Sequence, residues 1–159
     1  MGTGKTTIGK ILSDKIKYQL YDTDILIEEN QGKKISEIFT EVGEVAFREM
    51  EKETLLSLIN KENIIISTGG GLPTYKDNLK IMLEHGKVIS LVATPECILE
   101  RIEKDGNTRP ILDCDNKLLK IISLMEKRAY SYIMSHVMID TTNKTKDEVL
   151  SEILERIEK

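Results

Sequence analysis

"MGTGKTT", residues 1–7, decides how the rest of the chain is read. Gly4, Lys5 and Thr6 match the closing half of G-x-x-x-x-G-K-[ST], the pattern of a phosphate-binding loop. Such a loop is normally fed by a buried strand and left by a helix. The helix is present, because "TTIGKILSDKI" sets Ile8, Ile11, Leu12 and Ile16 at helical spacing. The strand is not: the first glycine of the pattern would fall ahead of Met1. Backbone N–H groups of a glycine-rich turn at a helix N-terminus bind phosphate oxygens, helped by the helix dipole. In this reading Gly2, Thr3, Gly4, Lys5, Thr6 and Thr7 hold the phosphates of a ligand. Lys5 reaches the β- and γ-phosphates and the Thr6 hydroxyl ligates Mg²⁺. The alternative is a glycine-rich terminal tail with no ligand.

Helix and strand signals alternate downstream. "KYQLYDTD" reads as a short strand, followed by helices in "DILIEENQ", "KISEIFTEV" and "EVAFREMEKETLLSLIN". The last presents Val45, Phe47, Met50, Leu55, Leu56 and Ile59 as core positions. "NIIIS" is an apolar run of strand length leading into "TGGG", and "TYKDNLKIMLEHG" is helical with Gly86 as its stop. "KVISLVAT" is a second buried strand, and Pro95 opens the helix "PECILERIEK". "DGNTRPILDCDN" is a polar loop, "KLLKIISLMEKRAYSYIM" a long helix, "HVMIDTT" a final strand and "TKDEVLSEILERIEK" a closing helix. Apolar strands separated by helices predict an α/β protein, a parallel sheet covered on both faces.

Composition narrows the function classes. With 159 residues and no linker or repeat, the chain reads as a single domain, 1–159, large enough for a core. A net charge of −4 gives no basic surface for nucleic acid. "NIIIS" and "VISLVA" fall well short of the roughly 20 apolar residues of a membrane span. The start lacks the basic and apolar regions of a signal peptide. Cys97 and Cys114 are too few for a disulfide framework or a structural zinc site and read as reduced thiols of a cytoplasmic protein.

Several stretches carry candidate chemistry. Asp22 and Asp24 of "DTD" stand at the C-terminal end of a strand, where open α/β sheets bind ligands. Two carboxylates two apart on a strand point the same way, so one can hold a Mg²⁺ water and the other a substrate hydroxyl. Equally, Asp24 can be a plain helix N-cap. Gly69, Gly70 and Gly71 of "STGGG" leave bare backbone that a ligand can approach. Arg48 shares a helical face with Glu51, Arg109 precedes Pro110 in the polar loop, and Arg128 lies late in the long helix. Taken singly, each arginine is explained by an ordinary ion pair, a loop cation or a helix-dipole contact. His85 and His136 read as structural, with no nucleophile–base pair around either.

Together these stretches form one constellation. "GTGKTT", "DTD", "FREME", "TGGG", "RP" in a loop and a later helical arginine closely resemble the shikimate kinase family, from residue 1 to about residue 145. The resemblance implies a P-loop sheet of the nucleoside-monophosphate-kinase type, with a substrate-binding region at about 24–60 and a lid at about 103–116. It implies Mg²⁺-dependent transfer of the ATP γ-phosphoryl group to the 3-hydroxyl of shikimate, a step toward chorismate and the aromatic amino acids, by a cytoplasmic monomer. By the same resemblance Asp24 contacts shikimate hydroxyls as the candidate base and Asp22 holds magnesium through water. Arg48 pairs with the shikimate carboxylate, Glu51 orients it, and Arg128 completes the clamp. Gly69, Gly70 and Gly71 give backbone contacts to the substrate, Gly70 at their middle. Arg109 is the lid arginine on the ATP phosphates, Arg101 resembles the adenine-stacking arginine, and "TTNKT" with Lys144 resembles the adenine loop. The chain departs from the family pattern where Tyr130, Met134 and His136 replace Pro, Glu and Ala, and where the first strand is absent. The expectation is a chain shortened at its start, less stable for want of a central strand. A gluconate-type small-molecule kinase and a non-catalytic nucleotide-binding remnant are the alternatives.

Overall fold

The computed structural model describes residues 2–105 and 116–157. The chain divides into two compact units, Lys5–Gly86 and a second formed by Met1–Gly4 with Lys87–Lys159.

The Lys5–Gly86 unit opens with helix α1 (Lys5–Ile16), which buries Ile8, Gly9 and Leu12. A methyl group at Gly9 would lie 3.2 Å from Leu20, so this glycine lets α1 pack closely on strand β1 (Gln19–Asp22). Helix α2 (Thr23–Gln31) follows without a loop, and Gly32 ends it at a left-handed φ of 64°. Helix α3 (Ile35–Leu58) is broken at Gly43, whose φ of 77° and ψ of 174° are not helical. The two helices read from "KISEIFTEV" and "EVAFREMEKETLLSLIN" are therefore real, joined by a single residue. Strand β2 (Ile64–Ser67) pairs in parallel with β1 from Gln19↔Ile64 to Asp22↔Ser67. "DTD" and "TGGG" consequently leave adjacent strands at the same end.

Two expectations in this unit need correction. Val45 is 71% exposed and Leu56 is also exposed; the buried stripe of α3 runs through Phe47, Glu51, Leu55 and Leu58. Spacing alone allowed either face, and a carboxylate on the inner one hid it. The helix expected from Thr74 begins later. A 3-10 turn covers Leu72–Thr74, Lys76 takes a left-handed φ of 47°, and helix α4 runs only over Asn78–His85. Ile27, Ile38 and Phe47 form the core between α2 and α3, with Ile35, Phe39 and Met50 against them.

In the other unit strand β3 (Ile89–Val92) leads to helix α5 (Pro95–Asp105), and helix α6 (Lys117–Ile133) leads to strand β4 (Val137–Asp140) and helix α7 (Lys146–Ile157). β3 and β4 are parallel, from Ile89↔Val137 to Val92↔Asp140. Ala93, Ile98, Ile102 and Ile121 form the core there. Val137 and Ile139 are buried whereas Met138 and Asp140 face out, so β4 is covered on one face only. The α/β class and parallel pairing hold, but the ladders among the described residues form two two-stranded sheets, β1-β2 and β3-β4. No described strand carries a ladder from one pair to the other.

Candidate active site

In the Lys5–Gly86 unit the site grows from the shared end of β1 and β2. Asp22 is the last strand residue and the N-cap of α2. Its Oδ1 accepts from the Asp24 and Ile25 N–H groups at 3.1 and 3.5 Å, and its Oδ2 accepts from the Thr6 hydroxyl at 3.3 Å. Asp24 therefore does not sit on the strand, nor is it the cap; it lies in the first turn of α2. The strand ends two residues earlier than the sequence suggests because Asp22 turns its carboxylate to the helix N–H groups.

Asp24 Oδ1 is buried and makes no hydrogen bond within the protein. Loss of water around it raises the Asp24 pKa above the ordinary aspartate value. The Asp22 charge and, less strongly, Glu28 add to this rise, while Lys5 and Arg48 pull it down. A buried carboxylate oxygen without a donor is costly unless a ligand supplies one.

Arg48 is the cation of the site. Its Nη1 donates to Glu51 Oε2 at 2.6 Å and its Nη2 to Glu44 Oε1 at 3.2 Å. The guanidinium lies 5.8 Å from the centre of the Phe39 ring and 5.5 Å from that of Phe47. Burial disfavours its charge, but the Glu51 and Glu44 carboxylates outweigh this and the pKa moves up. Glu51 is only 1% exposed, whereas Glu44 is 69% exposed, so Arg48 has one fixed and one exchangeable partner.

The glycine run is shaped by these charges. A methyl group at Gly71 would stand 2.5 Å from Arg48 Nη1. At Gly69 it would stand 2.6 Å from Glu51 Oε1 and 2.8 Å from Asp24 Oδ1. Gly70 lies between them in the chain. The segment that follows is tied to α3: Glu49 accepts from the Tyr75 hydroxyl at 2.7 Å and from Lys76, and Lys52 pairs with Asp77 at 2.5 Å. Asn78 is buried and donates to the Leu72 carbonyl at 3.0 Å. Sequence reasoning missed Thr23, which is wholly buried and accepts the Gly69 N–H on its hydroxyl at 3.2 Å. It also missed Glu44, although Glu44, Arg48 and Glu51 share a face at helical spacing.

Of the nucleotide-side candidates, Lys5, Thr6 and Thr7 belong to the Lys5–Gly86 unit, and the others to the second unit. Gly2 and Gly4 take φ values of 65° and 88°. A side chain at Gly2 would also crowd Ile98, at 3.0 Å from Cγ2 and 3.2 Å from the carbonyl oxygen. Arg101 donates to Thr141 Oγ1 at 2.9 Å, to the Thr141 carbonyl at 2.6 Å and to the Gly2 carbonyl at 3.5 Å. Its guanidinium is thus fixed beside the glycine turn. Lys144 is paired with Glu152 at 2.5 Å. Arg128 lines a small cavity with Thr3, Ile121, Leu124, Met125 and Tyr132. Arg109 and Cys114 lie outside the described residues, as does most of the lid at 103–116.

For a cation, the Thr6 hydroxyl and Asp22 carboxylate offer two neighbouring oxygens. Among the described residues no group of three or more His, Cys, Asp or Glu side chains could hold a metal alone. Mg²⁺ is commonly held by one or two protein oxygens together with substrate phosphates and water, the number that Thr6 and Asp22 offer.

The family model for shikimate kinase matches residues 1–158. The chain belongs to the shikimate kinase family. Its relatives include the shikimate kinase of Bacillus anthracis, 45% identical over 157 residues that cover 99% of this chain and 93% of the relative. That of Sulfurihydrogenibium is 37% identical over 159 residues, 100% and 94% of the two chains. A crystal structure of shikimate kinase from Bacteroides thetaiotaomicron superposes with a TM-score of 0.92 at 34% identity, covering 100% of this chain and 94% of the other. The Acinetobacter baumannii shikimate kinase in complex with shikimate gives 0.92 at 33% identity, over 99% and 88%. Shikimate kinases are ATP-dependent phosphotransferases, and membership makes this chain an enzyme of that class. No described helix is long and apolar enough to cross a membrane.

Proposed function

We propose that the chain transfers the γ-phosphoryl group of ATP to the 3-hydroxyl of shikimate, with Asp24 as the base and Arg48 as an anchor for the carboxylate. The observation that carries this reading is the buried Asp24 Oδ1, which lacks a donor and stands in one glycine-lined site with the Arg48–Glu51 pair. A substrate bearing both a hydroxyl and a carboxylate answers both groups. The hydroxyl donates to Asp24; the carboxylate takes the Nη2 position on Arg48 that exposed Glu44 now fills. Guanidinium forks match carboxylates bidentately, and Arg128 serves as the second cation.

In the reaction Asp24 accepts the hydroxyl proton as the substrate oxygen bonds to the γ-phosphorus, and the bond to the bridging oxygen breaks to release ADP. The raised pKa of Asp24 makes it a stronger base than an ordinary aspartate. Lys5 and Arg109 neutralise charge developing on the transferred group. Gly2, Thr3, Gly4 and Thr7 cradle phosphates, Arg101 stacks on the adenine ring, and Lys144 is a minor nucleotide contact. Thr6 and Asp22 would hold Mg²⁺, which would offset the negative charge of the phosphates. Gly69, Gly70 and Gly71 line the acceptor. A cytoplasmic enzyme belongs to the same reading, supported by the cysteine usage, and a monomer belongs to it by the family resemblance.

The test is ADP release by the purified chain with MgATP and shikimate, beside controls with gluconate and without acceptor. Shikimate-dependent turnover is expected. Equal rates with gluconate, or none above the acceptor-free control, would overturn the proposal.

A further inference from the structure

The three residues of "DTD" reach three different groups. Asp22 caps α2 and accepts the Thr6 hydroxyl, Asp24 presents its free oxygen, and Thr23 between them points inward. The Thr23 hydroxyl accepts the N–H of Gly69 at 3.2 Å. That contact joins the first turn of α2 to the glycine run just beyond the Asp22↔Ser67 pair, where the β1-β2 ladder has ended. Gly69 is no ordinary loop residue. Its Cα faces Asp24 Oδ1 and Glu51 Oε1 together, and Glu51 in turn holds Arg48. The main chain at Gly69 is thus the spacer between the hydroxyl end and the carboxylate end of the acceptor site. Gly69 has no side chain to hold it: its carbonyl accepts the Leu72 N–H at 3.2 Å from the turn that follows, and its own N–H is held by Thr23.

We propose that Thr23 is a positioning residue for phosphoryl acceptance. By holding the Gly69 amide, its hydroxyl sets the separation between Asp24 and the Glu51-backed Arg48. It touches neither substrate, and the inference rests on the shikimate reading of this site. A hydroxyl that merely filled space would be replaceable by a methyl group. A hydroxyl that sets a distance would not, because a shift of about 1 Å in a reacting geometry can cost on the order of a hundredfold in rate.

Four chains differing at one atom or group test this: the natural chain, Thr23→Val, Thr23→Ser and Thr23→Ala. Threonine against valine, and serine against alanine, each isolate the hydroxyl. Kinetics should show kcat/KM for shikimate lower in Thr23→Val by roughly five- to twentyfold, the range expected for a lost buried hydrogen bond, with KM for ATP unchanged. Thr23→Ala should fall below Thr23→Ser in kcat/KM by a similar factor, a pair that remains informative if the valine variant does not fold. Amide exchange at Gly69 in the substrate-free protein supplies a readout independent of turnover: protection should fall when the hydroxyl is removed and persist in Thr23→Ser. Unchanged Gly69 protection overturns the proposal. So does a Thr23→Val enzyme that melts earlier yet keeps its kcat/KM. Failure of the natural chain to use shikimate overturns the functional reading instead, and leaves Gly69 exchange to judge Thr23.

Discussion

Asp24 lowers the stability of the fold that carries it. Its pKa is raised in the folded protein, first by burial, so the folded state binds this proton more tightly than the unfolded chain does. Above the raised value the ionised group costs stability, and as pH falls through it toward the ordinary 3.8 the cost disappears. Asp24→Asn should therefore melt higher than the natural chain at pH 7 in magnesium-free buffer, with the gap closing at acidic pH. The same variant should lose about 10²–10⁴-fold in kcat, the usual worth of a general base. An earlier melting Asp24→Asn at pH 7 would contradict this account. Gly71→Ala tests the other end of the site. Its methyl group would collide with the Arg48 guanidinium, so KM for shikimate should rise by about tenfold or more while KM for ATP holds, the loss expected for a charged hydrogen bond.

At the scale of elements, α3 is an apolar helix with ionic work on its sides. Glu51 occupies a core position beside Phe47 and Leu55, while Arg48, Glu49 and Lys52 reach the segment after β2. The break at Gly43 lies in a backbone region open almost only to glycine, with nothing within 4 Å of where a side chain would go. Gly43→Ala should therefore cost about 1–3 kcal/mol from backbone strain alone, measured as a lower urea midpoint at unchanged slope. Much of this element map was legible beforehand. Long periodic runs such as "KLLKIISLMEKRAYSYIM" and short apolar runs such as "NIIIS" leave little choice. What was not legible depends on where a ladder stops. Whether Asp24 ends a strand or begins a helix turns on Asp22 using its carboxylate as a cap, and the local pattern is the same in both cases. Thr23 escaped notice for a similar reason: a hydroxyl between two acids gives no sign that it will be wholly buried.

At the scale of the whole molecule, the motifs identified the chemistry because their residue types are demanding: three glycines, paired acids, and arginines spread along the chain. Their spacing in sequence put Arg48 and Glu51 on one helical face but did not reveal that the pair stands against Gly71, which requires α3 and the end of β2 to meet. Ligands that bind this folded site should stabilise it by mass action. At about a hundred times its dissociation constant a ligand adds about 2.7 kcal/mol, and each kcal/mol moves the melting point of a chain this size by roughly 2–4 °C. MgATP and shikimate should each raise the melting temperature, and gluconate should not. The parallel ladders carry one more consequence, for how the chain reaches its folded state. Gln19 pairs with Ile64 across α2 and α3, and Ile89 with Val137 across a stretch that includes α5 and α6, so neither ladder can grow from a local turn. Non-local pairing is slow because chain entropy is lost before contacts repay it. Helical circular dichroism should accordingly return early on dilution from urea. Recovered phosphotransfer should lag behind it, because Asp24 and the glycine run are brought together only where one of those late ladders ends.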